Sequence, residues 1–265
     1  MLGVLRSAYD SQDERKARRD PAGMMATATG DHRPDTSLRQ AAWTAATSLL
    51  VMSVLSPIGF FYVFPRLISR TSIAQTVQNI GAHQGLFLAG IFCYLITFIC
   101  DVVVAWGLFV FLRPVQASLS VLTAWFRLIY AAMALVASLK LVTVLRLVRS
   151  PDYATAFGAA PLQAQVQLLL SSFRYEWGFS MVVFAGHLLL LSVLVYRSGY
   201  VPKLLGVMLA INGVAYLVDS LRPYLFPTAQ LPFLFVLFFG ELIFMLWLFV
   251  WGTRIRQPVI HRRPA

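Results

Sequence analysis

Charge is what this sequence has least of. Of its 265 residues, 12% are Asp, Glu, Lys or Arg and 58% are hydrophobic. An ordinary soluble domain carries about 25% charged residues. A soluble fold is therefore excluded, because so few charges cannot cover so much apolar surface. Acids are scarcer than bases, 11 against 22. Six of those acids (Asp10, Asp13, Glu14, Asp20, Asp31 and Asp35) lie in the first 35 residues. Cysteine is nearly absent. Cys93 and Cys100 are the two present, and they sit on one predicted helix about 10 Å apart along its axis. A disulfide needs Cα atoms within about 7 Å, so the pair cannot form one. No metal-ligand spacing, Walker loop, HExxH or CxxC occurs. No cofactor, no metal site and no catalytic residue is implied, and an intramembrane enzyme has the weakest support because no nucleophile–base pair is visible.

What is present is hydrophobic residues in runs near twenty, the length that crosses a bilayer core at 1.5 Å per residue. Six such runs are predicted, at about 41–64, 85–112, 117–148, 177–196, 204–221 and 233–251. The fold class is all-α, a polytopic bundle of six transmembrane helices. Pro57 and Gly59 interrupt the first run as a kink. Its packing face is expected along Thr44, Ser48, Met52 and Ser56. The third run is longer than a bilayer needs, which predicts tilt or an extension outside the membrane.

Three further segments complete the organisation. Residues 1–37 read as a disordered, charge-mixed tail without the apolar core of a signal peptide. Met24 and Met25 stand before a more compact start, so the preceding residues read as a gene-model extension. Residues 38–253 form the membrane domain, and 254–265 a basic tail. Between the third and fourth runs, PLQAQVQLLLSSF reads as a short separate helix, lying along the interface or closing as a lid over a pocket.

The net charge of +11 invites a nucleic-acid reading, but the bases flank helices and report topology instead. With six spans, fourteen Lys and Arg fall on the side of the two termini and six on the other (Arg66, Arg70, Arg146, Arg149, Arg174 and Arg222). Arg127 and Lys140 lie inside the third run. Both termini are thus expected in the cytoplasm. Expected partners are membrane lipids and a small apolar or protonatable ligand, with no nucleic acid. A homo-oligomer remains open.

The informative residues are the polar ones inside the runs, since hydrocarbon does not host lone charges. Counting from the cytoplasmic ends places Asp101 and Arg127 roughly 15–17 Å deep on adjacent arms of a hairpin. They are expected to form an ion pair that braces the bundle. His187, Asn212 and Glu241 reach the same depth. Stripes of polar and small residues predict which faces turn inward: Gly90, Tyr94, Thr97 and Asp101; Arg127, Ala131, Ala134 and Ser138; Glu176, Ser180 and His187; Asn212, Tyr216 and Asp219. The first candidate function is a ligand-binding or proton-relay site of a transport module, built from His187, Asn212, Glu241, Tyr216 and Asp219. The alternative is a non-catalytic scaffold or regulatory partner in which the same residues only fix helix register. Gly206, Ala210 and Gly213 read as a close-packing stripe. Trp106, Trp177, Trp247 and Trp251 read as interface anchors, and Lys140 as a side chain that snorkels outward.

The stretch GHLLLLSVLVYRSGYVPKLLGVMLAINGVAYLVDSL, followed by GELIFMLWLFVWG, resembles the bacterial multi-pass membrane proteins grouped as domain of unknown function 4386. RSGYVPKLLGV is its most specific part. NIGAHQGLFLAGIFCYLI, the Asp101 region and LRPV at 112–115 are also similar. The resemblance spans roughly residues 40–252 and implies an integral protein of the bacterial cytoplasmic membrane. It carries no reaction, but it draws attention to His187, Arg197, Gly199, Pro202, Asp219 and Glu241.

Overall fold

The computed structural model describes residues 37–225 and 239–255. The expected N-terminal tail, the last ten residues and the connection around residues 226–238 lie outside the described residues. The described chain is helical. Eight helices follow in order: α1 Leu38–Leu67, α2 Ile73–Ala82, α3 Gln84–Leu112, α4 Ala117–Arg149, α5 Pro151–Phe157, α6 Ala159–Arg197, α7 Lys203–Leu225 and α8 Gly240–Val250. Five of them (α1, α3, α4, α6 and α7) are long and apolar enough to cross a membrane. The sixth predicted run is represented by α8, which is 11 residues long. The rest of that run falls outside the described residues.

Local signals in the chain set the helix starts. Ser37 opens α1 with a capping box: its hydroxyl accepts from the Gln40 N–H, and the Gln40 side chain accepts from the Ser37 N–H. Ser72 caps α2 by its hydroxyl alone, accepting from the Gln75 N–H at 3.2 Å. Pro57 does not end α1. The six residues after it, Ile58–Val63, widen into a π-helical turn, a local adjustment that lets a helix continue past an interruption. The widened turn sets Gly59 against the Tyr94 ring, where an added Cβ would lie 3.0 Å from a ring carbon.

The long helices close into a ring. In space the order is α1, α3, α4, α6, α7, α8 and back to α1, each packed on the next. Small residues allow the close crossings. On α1 the buried face is Ala41, Ala42, Ala45 and Ala46, all fully enclosed. A Cβ on Gly107 of α3 would come within 3.0 Å of Ala41 O and Ala45 Cβ. The expected face of Thr44, Ser48, Met52 and Ser56 is only partly buried. The alanine face wins because it brings the two backbones closer. Gly206 and Gly213 of α7 meet Ser192 O and Ala185 O of α6. Gly240 of α8 meets Met208 O of α7 at 2.8 Å from its added Cβ.

The segment expected as a separate interfacial helix or lid is neither. Residues Ala159–Arg197 form one helix of 39 residues, about 58 Å long at 1.5 Å per residue. Pro161 sits in its first turn, where proline is accommodated, and no glycine or proline follows until Gly178. A new start is provided one step earlier, at Gly158, whose φ of 76° and ψ of 168° belong to a region essentially reserved for glycine. With α4 at 33 residues, about 50 Å, these two helices overrun a bilayer core of about 30 Å. The short helices α2 and α5 pack against α4 and α6. Trp177, expected as an interface anchor, joins Tyr94, Phe98 and Phe173 in an aromatic cluster, 4.9 Å from the Tyr94 ring centre. Trp106 and Trp251 are exposed.

Candidate functional site

The site is built around one side chain, Arg127 of α4, which is fully buried. Ten residues into a long apolar helix, a guanidinium has no water to meet, so its N–H groups must find partners inside the ring. Nε donates to Asp101 Oδ1 of α3 at 2.8 Å. Nη1 donates to Glu241 Oε1 of α8, also at 2.8 Å. Nη1 also lies 3.2 Å from His187 Nε2 of α6. Nη2 approaches the Met52 sulfur of α1 at 4.0 Å. Five of the six helices in the ring thus contribute a side chain to one point. The guanidinium also lies 5.6 Å from the centre of the Phe184 ring, within cation–π range.

His187 is held at both nitrogens. Nδ1 is 2.9 Å from the backbone carbonyl of Thr123, one turn before Arg127. A carbonyl only accepts, so Nδ1 carries the hydrogen, and Nε2 is left to accept from Arg127. One tautomer of an uncharged imidazole therefore satisfies both contacts. Phe184, one turn earlier on α6, stacks on the imidazole with centres 5.8 Å apart.

The carboxylates differ. Asp101 is fully enclosed, and its Oδ2 has no hydrogen-bond partner. Glu241 is 20% exposed at its side chain. The two acids and the base together carry one more negative than positive charge when all are ionised.

The remaining expected residues differ in how they relate to this point. Asn212 of α7 is fully buried and packs on Gly240, the residue before Glu241. Tyr216 stands edge-on to Phe184 at 5.2 Å, one ring removed from His187. Asp219 is not brought in: it lies 3.3 Å from Arg222 and is 42% exposed. Glu176, expected on the His187 face, instead lies 3.2 Å from Lys140. Among the described residues, no set of His, Cys, Asp or Glu is arranged to hold a metal, and Cys93 and Cys100 are both free thiols.

Sequence reasoning separated an Asp101–Arg127 pair from a His187–Asn212–Glu241 group. The structure joins them through Arg127. The contributions of Met52, Thr123 and Phe184 were not anticipated. The signal for the join was present in the equal depths of the five polar residues and in the donor count, since one carboxylate cannot occupy all the N–H groups of an arginine.

At the end of the ring that holds the two short turns, Tyr200 donates to Phe111 O at 2.6 Å, and burial raises its phenol above the ordinary value. Gly199 has a φ of 71°, which lets RSGYVPK fold back so that Ser198 Oγ accepts from the Val201 N–H. The motif that carries the resemblance therefore ties the α6–α7 turn to the end of α3.

A curated relative, an uncharacterized protein of Archaeoglobus fulgidus, is 30% identical over 172 residues, covering 65% of this chain and 87% of the relative. No solved structure matches. The family model described as Domain of unknown function (DUF4386) matches residues 44–252, a span that includes all four members of the Arg127 cluster, and the chain belongs to that family.

Proposed function

We propose that the protein is a small membrane transport or ligand-binding module whose working site is the Arg127 cluster. The topology this reading takes is six spans, with α8 in the last, and both termini on the cytoplasmic face of a cytoplasmic membrane of bacterial type. Fourteen flanking bases against six support it, and nine against six when the five in residues 1–23 are left out.

The observation that carries the reading is the charge count. One guanidinium faces two carboxylates and an imidazole. An uncompensated charge at bilayer depth costs about 2.5–3.5 kcal/mol even on the lenient insertion scale. Within these four side chains one negative charge is left to balance when all are ionised, and this reading balances it with one proton or one small cation. A buried group that takes up and returns a single charge is the elementary part of a coupled transporter. Glu241 is the member with exposed surface, so it is the point of exchange. Asp101 and His187 hold Arg127 in place, Asn212 and Tyr216 border the site, and Asp219 with Arg222 lies along the same helix.

A second reading, a scaffold whose polar centre only fixes helix register, draws on one observation. The free space beside His187, bounded by residues such as Ala105, Leu108, Ser120 and Leu194, is about 180 Å³ and too narrow to seat a water. Reconstitution separates the two. Liposomes loaded with a pH-sensitive dye are given a proton or cation gradient. The transport reading expects flux above that of protein-free vesicles, reduced about tenfold or more in Glu241→Gln, with the variant still folded by thermal unfolding. Wild-type flux no greater than the protein-free control overturns it in favour of the scaffold.

A further inference from the structure

Thirteen residues beyond Arg127 on α4, Lys140 Nζ lies 3.2 Å from Glu176 Oε2 of α6, with side chains 30% and 43% exposed. That separation is about 20 Å along the helix. If Arg127 marks the midplane, Lys140 lies past the hydrocarbon half-thickness of about 15 Å, at headgroup level. Val136 and Ala132 precede Lys140 on the same face of α4, about one and two turns toward the midplane. With Met133, Tyr175, Phe179 and Tyr224 they line a cavity of about 520 Å³ between α4, α6 and α7, and Glu176 is part of the same lining. This is within the range of about 300–1,000 Å³ usual for small-molecule sites. Val136, Tyr175 and Phe179 are each more than half exposed, so the cavity is a groove open sideways, toward the lipid.

An apolar groove alone would take any acyl chain. The ion pair at its head makes the groove selective. A half-exposed ion pair contributes only about 0–1 kcal/mol, so it opens at little cost when each member is offered another partner. A phosphate matches the Lys140 ammonium, and a primary ammonium with three N–H donors matches the Glu176 carboxylate. A headgroup bearing both satisfies the pair at once. A choline headgroup lacks the N–H donors. A glycerol headgroup sets its phosphate beside Glu176 with no cation to offset the repulsion. Tyr175 and Tyr224, with rings 6.3 Å apart, flank the head as amphipathic side chains do at the membrane surface.

We infer that the groove between α4, α6 and α7 is a binding site for one phospholipid with a primary-ammonium headgroup, its chain over Ala132, Val136 and Phe179 and its headgroup on Lys140 and Glu176. This site is independent of the Arg127 cluster, about 20 Å away along α4.

Native mass spectrometry of the purified full chain with equimolar ethanolamine, choline and glycerol phospholipids tests it. The expected result is retention of the ethanolamine lipid about tenfold above the other two. Glu176→Gln should abolish that preference and raise retention of the glycerol lipid. Val136→Trp, which fills the groove from an exposed position, should lower retention of the ethanolamine lipid about tenfold while the thermal midpoint stays near wild type. Ala132→Phe serves the same purpose should the tryptophan variant not fold. Equal retention of the three lipids by wild type overturns the inference. So does undiminished retention in the folded groove-filled variant.

Discussion

Two cations on one helix, thirteen residues apart, meet different fates. Arg127 is fully enclosed and takes partners from four other helices. Lys140 is 30% exposed and has one acid, itself half in the open. The residue types suit the two places. A guanidinium is planar, weakly hydrated and carries five donors, so it can be satisfied without water. An ammonium is a strongly hydrated point charge on a flexible stem. The contrast teaches that depth, more than the presence of an opposite charge, decides how much structure a charge organises. Around Arg127 the ring of helices is arranged to supply partners. Around Lys140 the helices are free to pack apolar side chains, and the ion pair sits at the rim of a groove.

Removing each cation in turn sharpens that contrast. Arg127→Leu leaves two carboxylates in the interior without their base. It should cost about 3–5 kcal/mol, the range for breaking a buried ion pair from one side, read as a large drop in the thermal or denaturant midpoint in detergent. Lys140→Gln should cost no more than about 1 kcal/mol in the same assay, because a half-exposed pair is screened and rehydrated. Similar losses for the two variants would dissolve the distinction between them.

Much of the architecture was legible in the chain. Apolar runs near twenty residues gave the long helices, and the stripes through Asp101 and Arg127 gave their inward faces. All four residues of the Arg127 stripe are buried. Legibility ended where a pattern names a direction but not a neighbour. The i+4 spacing of Thr44, Ser48, Met52 and Ser56 points to one face of α1, yet alanines on another face make the closer crossing with Gly107. Pro161 and the one-sided apolar face of Leu162, Val166, Leu169, Leu170 and Phe173 suggest a separate interfacial helix, but no residue after Pro161 breaks the hydrogen-bond ladder before the span begins. Glu176 follows the period of His187 and still turns to Lys140, because three turns from His187, about 16 Å along the helix, a half-exposed cation on α4 is within reach. The Arg127–Glu241 contact joins residues 114 apart in sequence. Periodicity does not encode such a contact. Only equal depth and an unfilled donor count pointed to it.

The central claim is that a single guanidinium is shared by two acids, of which one negative charge is sufficient. A double-mutant cycle on Asp101→Asn and Glu241→Gln, read by unfolding free energy, tests this most directly. Each single change leaves Arg127 one carboxylate and an amide oxygen to receive its N–H, so each should cost no more than about 1 kcal/mol. The double variant strands the guanidinium without a counter-charge and should cost about 3 kcal/mol or more. Single variants that each cost the full amount, with a double variant equal to their sum, would contradict it.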